Sequence, residues 1–173
     1  NRSLDRLVPH ARRAIHGEMA DQMHVLPGEV LISRTAVMAP ASRDGDEAGE
    51  EPDMVLGSNR EVVVRDVKPE AIDLLDFGLS SADGPVPVIE TLSAEVSSGE
   101  LELTLRLQPP VGSDARKDLD GVMNRLRQQA RDAGKKNGRG IWRQYFLIRD
   151  AFASLGPAAV LTVHRSQGSS FGD

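Results

Sequence analysis

The sequence predicts a mixed α/β fold in which a small antiparallel β-barrel is flanked by helices. Short β-rich runs separated by Gly, Pro, Asn and Asp fill residues 28–108, which is the pattern of a small barrel. Apolar residues recur at helical spacing before that region and again after residue 109. The 173 residues can bury one sizeable core or two small ones, and an aromatic fraction of 3% requires the core to be mainly aliphatic.

The first predicted element is a helix that Ser3 can cap and Gly17 can end. Its apolar stripe consists of Leu4, Leu7, Val8, Ala11 and Ile15, and the arginines Arg2, Arg6, Arg12 and Arg13 lie mostly away from that stripe. Pro27-Gly28-Glu29 then reads as a turn, after which residues 30–38 should form a strand.

The middle of the chain supplies the strands of the predicted barrel. Residues 39–53 are rich in acids, Pro and Gly, so we expect a disordered loop there. Residues 54–67 carry a hairpin signal around Gly57-Ser58-Asn59, and residues 68–75 suit a helical turn or a strand. Residues 86–92 predict another strand, and the alternating leucines of residues 101–107 predict a half-buried one.

Two helices and a strand are predicted after Pro109-Pro110. Ser113 or Asp114 can cap a helix that runs to a glycine-rich break at residues 134–140. A second helix over residues 141–155 holds four of the six aromatic residues, and Gly156-Pro157 should end it. Residues 158–164 form a short apolar run that is typical of a buried, parallel strand.

Composition excludes several classes of protein. The chain has no cysteine, which removes disulfide scaffolds, thiolate zinc sites and cysteine nucleophiles. It has no long apolar run and no signal peptide, so we expect a cytoplasmic protein without a membrane partner. It starts without Met and stops just after a motif, so we expect a piece of a longer protein. Residues 39–100 hold 15 acidic and 4 basic residues, whereas residues 101–173 hold 7 and 12, so the C-terminal part is where a polyanion would be tolerated.

The segment LTVHRSQGSSF, residues 161–171, carries the most specific chemistry. Hydroxyl and amide side chains at the carboxyl end of a buried strand can bind phosphate oxygens, Arg165 adds positive charge, and Gly168 allows close backbone approach. From these residues alone, a phosphate-binding loop and an ordinary strand-exit loop both remain open.

The sequence of this segment resembles the TVHKSQGS motif of superfamily 1 DNA helicases, in the RecD-like and Dda-like branch, with Arg165 in place of the usual Lys. The aromatic-rich helix of residues 141–152 and the Asn1-Arg2 start of the first helix are similar to segments that precede the motif in that branch. Pro27-Gly28-Glu29 resembles the turn that enters an inserted barrel. The resemblance therefore runs from one end of the chain to the other, although the middle matches in pattern and not in sequence.

This resemblance implies part of a RecA-like (P-loop NTPase) motor domain, 2A, over residues 1–27 and 109–173. An SH3-like barrel, 2B, would be inserted over residues 28–108. The implied partners are single-stranded DNA and the N-terminal motor domain of the same protein, with ATP and Mg²⁺ as cofactors of an intact 5′ to 3′ helicase. The residues that inherit DNA contact or coupling are Thr162, His164, Arg165, Ser166 and Gln167. Gln167 and Gly168 would also lie near the nucleotide.

The sequence holds neither the phosphate-binding loop nor the Mg²⁺-binding motif of such motors, so we expect this chain alone to bind no cofactor and to hydrolyse no ATP. Weaker DNA-binding candidates are Arg125, Arg131, Lys135, Lys136, Arg139 and Trp142. A solvated helix face is the alternative for the cations, because Asp118, Asp120 and Asp132 interleave with them. Core packing is the alternative for the aromatic residues. The rival functions are a non-enzymatic β-barrel module that binds nucleic acid or protein, and a degenerate helicase-like domain kept for protein contacts.

Overall fold

The protein was analysed as a computed structural model that describes residues 2–39 and 53–158. The fold is mixed α/β. A helical N-terminal segment leads into an antiparallel sheet, and two long helices return the chain to that sheet for a final strand. The predicted acidic loop, except for its end residues 39 and 53, lies outside the described residues.

The N-terminal segment consists of α1 (Arg2–His16) and the short α2 (Met19–Gln22). Gly17 ends α1 with a φ of 68°, a backbone conformation that favours glycine. The predicted helix is confirmed, but its stripe is turned outward, with Leu7 54% and Ile15 63% exposed. Among the side chains of α1 that the structure describes, from residue 6 onward, Arg12 is the buried one instead. Its guanidinium forms a two-bond ion pair with the buried Glu29, at 2.6 and 3.0 Å.

The Arg12–Glu29 pair fastens α1 to the start of the sheet. Glu29 also accepts a hydrogen bond from the backbone N–H of Leu26, and Arg12 donates to the carbonyl oxygens of Ala20 and Met23. Both charges are therefore hydrogen-bonded on several sides, which is what makes buried charge tolerable.

Seven strands are described. They are β1 (Val30–Ser33), β2 (Val37–Met38), β3 (Met54–Leu56), β4 (Glu61–Asp73), β5 (Val88–Ser98), β6 (Leu101–Arg106) and β7 (Leu155–Pro157). Five of them form one antiparallel sheet in the order β6-β5-β4-β1-β7, and β2 pairs with β3 separately. Within the described residues the sheet is open, so the predicted closed barrel is wrong. Leu107, just after the edge strand β6, forms a single parallel bridge with Ala153, which lies just before the other edge strand, β7. Among the described residues no further pairs continue from this bridge.

The long hairpin of β4 and β5 dominates the sheet, with pairing from Val63↔Ser97 to Asp73↔Val88. The strand alternative for residues 68–73 is therefore confirmed, and a short 3-10 helix, Leu74–Phe77, comes only after it. Among the described residues β1 pairs with β4 only at Glu61–Val63, so Pro69 lies where one side of β4 has no neighbouring strand. A strand tolerates proline in such a place because a missing N–H breaks few ladder bonds.

The hairpin predicted over residues 54–67 does not form as such. The turn and the flanking strands exist, but β3 pairs with β2 while β4 pairs with β1 and β5. Val62 and Val64 share one face of β4, and both are 1% exposed in the core. Residues 30–38, predicted as one strand, are interrupted by a bend at residues 34–35 and supply both β1 and β2.

The helices that follow the sheet are α3 (Asp114–Asp132), α4 (Gly134–Asn137) and α5 (Arg139–Asp150). Ser113 caps α3 as predicted, because its hydroxyl accepts from the backbone N–H of Arg116. The second predicted helix ends five residues early. Leu155–Pro157 form β7, antiparallel to β1, so the reading of Gly156-Pro157 as a helix stop is wrong. Residues 159–164 of the last predicted strand lie outside the described residues.

Two apolar cores hold these elements together. The first core lies at the base of the sheet and includes Leu31, Val62, Val64 and Val96. The second core packs the far end of the β4–β5 hairpin against α3 and α5, and includes Ile72, Ile89, Leu126, Ile148 and Phe152. The second core fixes the orientation of α5, the helix on which the candidate site lies.

Candidate nucleic-acid interface

The predicted coupling residues cannot be placed. Thr162, His164, Arg165, Ser166, Gln167 and Gly168 all lie outside the described residues. The chain leading to them is described as far as Ala158, whose N–H donates to the carbonyl oxygen of Val30 at 3.0 Å. In sequence, the motif begins at Leu161, four residues after Pro157, the last residue of the edge strand β7.

The predicted basic residues divide into two groups along α3 and α5. In the first group each side chain already forms an ion pair or a hydrogen bond within the protein. Arg116 pairs with Asp120, Lys117 pairs with Asp114, and Arg125 donates to the carbonyl oxygen of Pro85 at 2.7 Å. For this group the solvated-face alternative fits well.

The second group lies around the junction of the two helices. Its members Arg131, Lys135, Arg139 and Arg143 are exposed and have no ion-pair partner among the described residues. The side chain of Lys136 lies outside what the structure describes. Because Asp132, the exposed acid nearest in sequence, accepts from the amide of Gln128, its charge is not directly paired with any of these cations. This end of the helix pair can therefore receive an anion.

Three aromatic rings form a cluster on the outer side of α5. The rings of Trp142 and Phe146 lie roughly parallel, with centroids 5.8 Å apart and planes inclined by 24°. Tyr145 meets both of them edge-on at 5.4 Å. Phe146 is 42% exposed, whereas Phe152, one of the core residues of this region, is 4% exposed. The aromatic residues of this helix thus serve two purposes, and the core-packing alternative holds for Phe152 but not for Phe146.

Two arginines lie on these rings. The Arg149 guanidinium carbon is 4.7 Å from the Phe146 centroid, and that of Arg127 is 5.4 Å from the Tyr145 centroid, both within cation–π range. Arg127 also donates to the Tyr145 hydroxyl at 2.8 Å. Hydrogen bonds from Arg149 to Asp150 raise the pKa of the Arg149 guanidinium further above its ordinary value. We call Trp142, Tyr145, Phe146, Arg127 and Arg149 the aromatic–arginine surface.

A groove of about 270 Å³ runs between α3 and α5 beside this surface. Its polar lining includes Arg116, Arg127 and Arg149 with one carboxylate, Asp120. Arg125 faces away from it, into a smaller groove of about 220 Å³ that Leu79 and Gln144 also line. Of the weaker DNA candidates, Trp142 therefore belongs to the aromatic–arginine surface, whereas Arg125 lines the other groove.

Sequence reasoning missed Phe146 and Arg149 as site residues. The signal was present, because residues 142, 146 and 149 share one side of a helix while residues 148 and 152 share another. No metal-binding group of His, Asp or Glu occurs in the described ranges. Nor does any helix among them combine the length and apolar character that crossing a bilayer requires.

No protein-family model matches this chain, and no curated protein matches it in sequence.

Proposed function

We propose that this chain is part of an ATP-dependent DNA helicase of superfamily 1 and that it contributes contact with single-stranded DNA. The observation that carries the proposal is the position of the aromatic–arginine surface. It lies on α5, the helix that leads through β7 to the segment TVHRSQGSSF. Partly exposed rings beside cations are a usual means of binding a single strand.

In this proposal the described residues and the motif act on the same strand. Arg131, Lys135, Arg139 and Arg143 attract the phosphates, and the residues from Thr162 to Gly168 contact the backbone near the nucleotide. α1 and the residues after β7 belong to a RecA-like lobe, with the open sheet between them as an insertion. ATP, Mg²⁺ and 5′ to 3′ movement belong to the intact protein, whose second motor domain supplies the phosphate-binding loop.

Fluorescence anisotropy of a labelled single-stranded oligonucleotide tests the DNA contact. We expect the 173-residue chain to bind at about 50 mM salt and to lose most of that affinity at about 200 mM, because binding releases counterions. Neutralising the four open cations together, R131Q/K135Q/R139Q/R143Q, should reduce the slope of log affinity against log salt by about 2 to 3.

The matched control removes four cations from the other part of the chain, R13Q/R60Q/R65Q/K68Q, so that both variants have the same net charge. The control should keep the original slope. Equal slopes for the two variants would mean that overall charge and not this site attracts DNA. Absence of salt-sensitive binding by the unaltered chain would contradict the proposed DNA contact.

The motif is tested in the intact protein. Gln167→Ala or Thr162→Ala should reduce DNA translocation more than ATP hydrolysis or folding, because the proposed role of these residues is coupling. If folding and both activities fall together, the segment is an ordinary strand-exit loop.

A protein-binding module without motor activity is the second candidate, and the outward stripe of α1 favours it. Leu7 and Ile15 of α1, and Met19 at the start of α2, are each more than half exposed, which is typical of a surface that contacts another protein. The full reading frame separates the two candidates. A motor requires a GKT or GKS phosphate loop upstream and a T-R-A-like motif downstream, and the lack of both would exclude it.

A further inference from the structure

We infer that the aromatic–arginine surface is a base-stacking site that distinguishes single-stranded from duplex DNA, with the adjacent groove receiving a phosphate. This inference rests on the proposed DNA contact but goes further, since it names the part of the nucleic acid that is recognised. Trp142 and Phe146 would receive an unpaired base, and Arg127, which has no carboxylate partner among the described residues, would receive the neighbouring phosphate.

The first argument is the exposure of rings that the core does not need. The second core is closed on the α5 side by Ile148 and Phe152, which are 0% and 4% exposed. Trp142 and Phe146 lie on a different side of the helix and stack on each other. Tyr145 supports both rings edge-on, so the pair is held in place before any ligand arrives. A preorganised ring pair loses little side-chain entropy when a base stacks on it.

The second argument is the charge around the rings. Asp120 accepts from Arg116, Asp132 accepts from Gln128, and Asp150 forms a two-bond ion pair with Arg149, so Arg149 is already matched by a carboxylate. Among the described residues Arg127 donates one hydrogen bond, to the neutral Tyr145 hydroxyl, and so keeps its charge and most of its five N–H donors for a ligand. The ligand is therefore an anion.

The third argument is that the rings and the groove are adjacent and share side chains. Arg149 lies over the Phe146 ring and also lines the groove, and Tyr145 borders both the ring cluster and the groove. A flat ring surface and an arginine-lined groove thus meet at shared side chains. Nucleic acid offers a flat base and an anionic phosphate in adjoining positions, whereas an acidic peptide offers charge without the flat face. In a duplex the base faces are covered by neighbouring base pairs, so an unpaired strand is the form that fits.

The experiment uses the fluorescence of Trp142, which is the single tryptophan of the chain. An octamer of thymidine should quench it in a saturable way at about 50 mM salt. An abasic octamer of equal length and charge, a blunt duplex and poly-glutamate should quench it little. Phe146→Ala should weaken binding of the thymidine octamer about 10-fold, as expected for one stacked base, and should leave binding of the abasic octamer unchanged in anisotropy.

Two further variants keep the result interpretable. Leu101→Ala removes an apolar side chain of similar exposure, 43%, from β6 and should change neither binding nor quenching. Phe146→Leu keeps apolar packing but removes the ring, so it should bind the thymidine octamer as weakly as Phe146→Ala does while unfolding at the temperature of the unaltered chain.

Equal binding of thymidine and abasic octamers by the unaltered chain would overturn the stacking site while leaving the DNA contact in place. Equal quenching by the duplex or by poly-glutamate would overturn the discrimination. Absence of all single-strand binding in anisotropy would remove the proposed function together with this inference.

Discussion

At the scale of single residues, the ion pair between Arg12 and Glu29 is the polar contact with the greatest consequence for stability. Their side chains are 10% and 3% exposed, so removing either partner leaves a charge in a place that water hardly reaches. The loss of one partner of a buried pair costs about 3 to 5 kcal/mol, whereas exposed pairs contribute up to about 1 kcal/mol.

Glu29→Gln should therefore lower the free energy of unfolding by about 3 to 5 kcal/mol, measured by urea denaturation. Asp21→Asn breaks the exposed pair with Arg13 at 3.4 Å and is the matched control, with an expected change below about 1 kcal/mol. The double variant R12M/E29M should lose less than the sum of the two single losses, because neither charge is left alone. Similar midpoints for Glu29→Gln and Asp21→Asn would show that the pair contributes little.

His24 lies close to the same ion pair and makes stability depend on pH. Desolvation first, and then the positive charge of Arg12, lower the pKa of His24 below its usual value of 6.5. The unfolded chain therefore binds a proton at a higher pH than the folded chain does. Stability is unaffected by this group above about pH 6.5 and falls as the pH drops from there through the lowered pKa.

His24→Gln should remove the part of the loss of stability at low pH that comes from His24. We expect the difference in thermal midpoint between pH 7.5 and pH 5.5, values that bracket the ordinary histidine pKa of about 6.5, to be smaller in the variant than in the unaltered chain. NMR titration of the His24 ring measures the lowered pKa directly. An equal pH dependence in both proteins would show that His24 has the same pKa folded and unfolded.

At the scale of elements, the close approach between the end of α3 and the start of α5 depends on Gly138. A Cβ at this position would collide with backbone carbonyl oxygens of Ala130 and Gly134, the latter at 2.8 Å. Backbone atoms on a helix cannot move aside cheaply. By contrast, a Cβ at Gly121, in the middle of α3, would meet no atom within 4 Å.

Substitution of these two glycines by alanine should have opposite effects. Gly138→Ala should destabilise the chain by about 1 to 3 kcal/mol through overpacking. Gly121→Ala should stabilise it by about 0.5 to 1 kcal/mol, because alanine favours the helix and loses less backbone entropy. Thermal unfolding followed by circular dichroism measures both. A stabilising Gly138→Ala would mean that the two helices can separate at no cost.

The elements with a local cause were predictable from the sequence. Gly17 ends α1, Ser113 starts α3, and the alternating leucines of β6 form a strand, since each depends on residues a few positions apart. Strand partners depend on distant residues. The turn at Gly57–Asn59 was read correctly, yet its two strands find other neighbours because β1 and β5 cover the sides of β4.

In the candidate site, too, locally determined features were predictable from the sequence and features that depend on distant residues were not. The sequence indicated a basic and aromatic α5 region, but it could not tell Arg125, which reaches Pro85, from Arg131, which stays open. That difference depends on how α3 is rotated against the β4–β5 hairpin. The sequence also does not distinguish Arg12 from the other arginines of α1, because the partner that buries it, Glu29, is 17 residues away.

At the scale of the whole molecule, the two cores share the continuous strands β4 and β5. Val62, Val64 and Val96 belong to the first core, and Ile72 and Ile89, further along the same strands, belong to the second. Damage at one end of the hairpin is therefore transmitted to the other along a ladder of paired residues that shifts register once, between Val64 and Asp66. We expect the two cores to unfold together.

Leu31→Ala in the first core tests this cooperativity. It should cost about 2 to 5 kcal/mol, as should Ile148→Ala in the second core. Trp142 reports on the second core, so its fluorescence midpoint in urea should fall in Leu31→Ala as far as the circular dichroism midpoint does. A tryptophan transition that stays in place while circular dichroism becomes biphasic would show two independently unfolding parts.

The pairing of β7 with β1 has a mechanical consequence. Leu31 lies opposite Pro157 and Ser33 lies opposite Leu155, so the chain reaches and leaves this pair of strands at the same end. Tension between residues 29 and 158 would load the hydrogen bonds of the pair one after another, as in peeling, and not all at once, as in shear. Such a pair yields at low force. Under load at its C-terminal end β7 would detach from β1 one hydrogen bond at a time, whereas β1 is also held on its other side by β4.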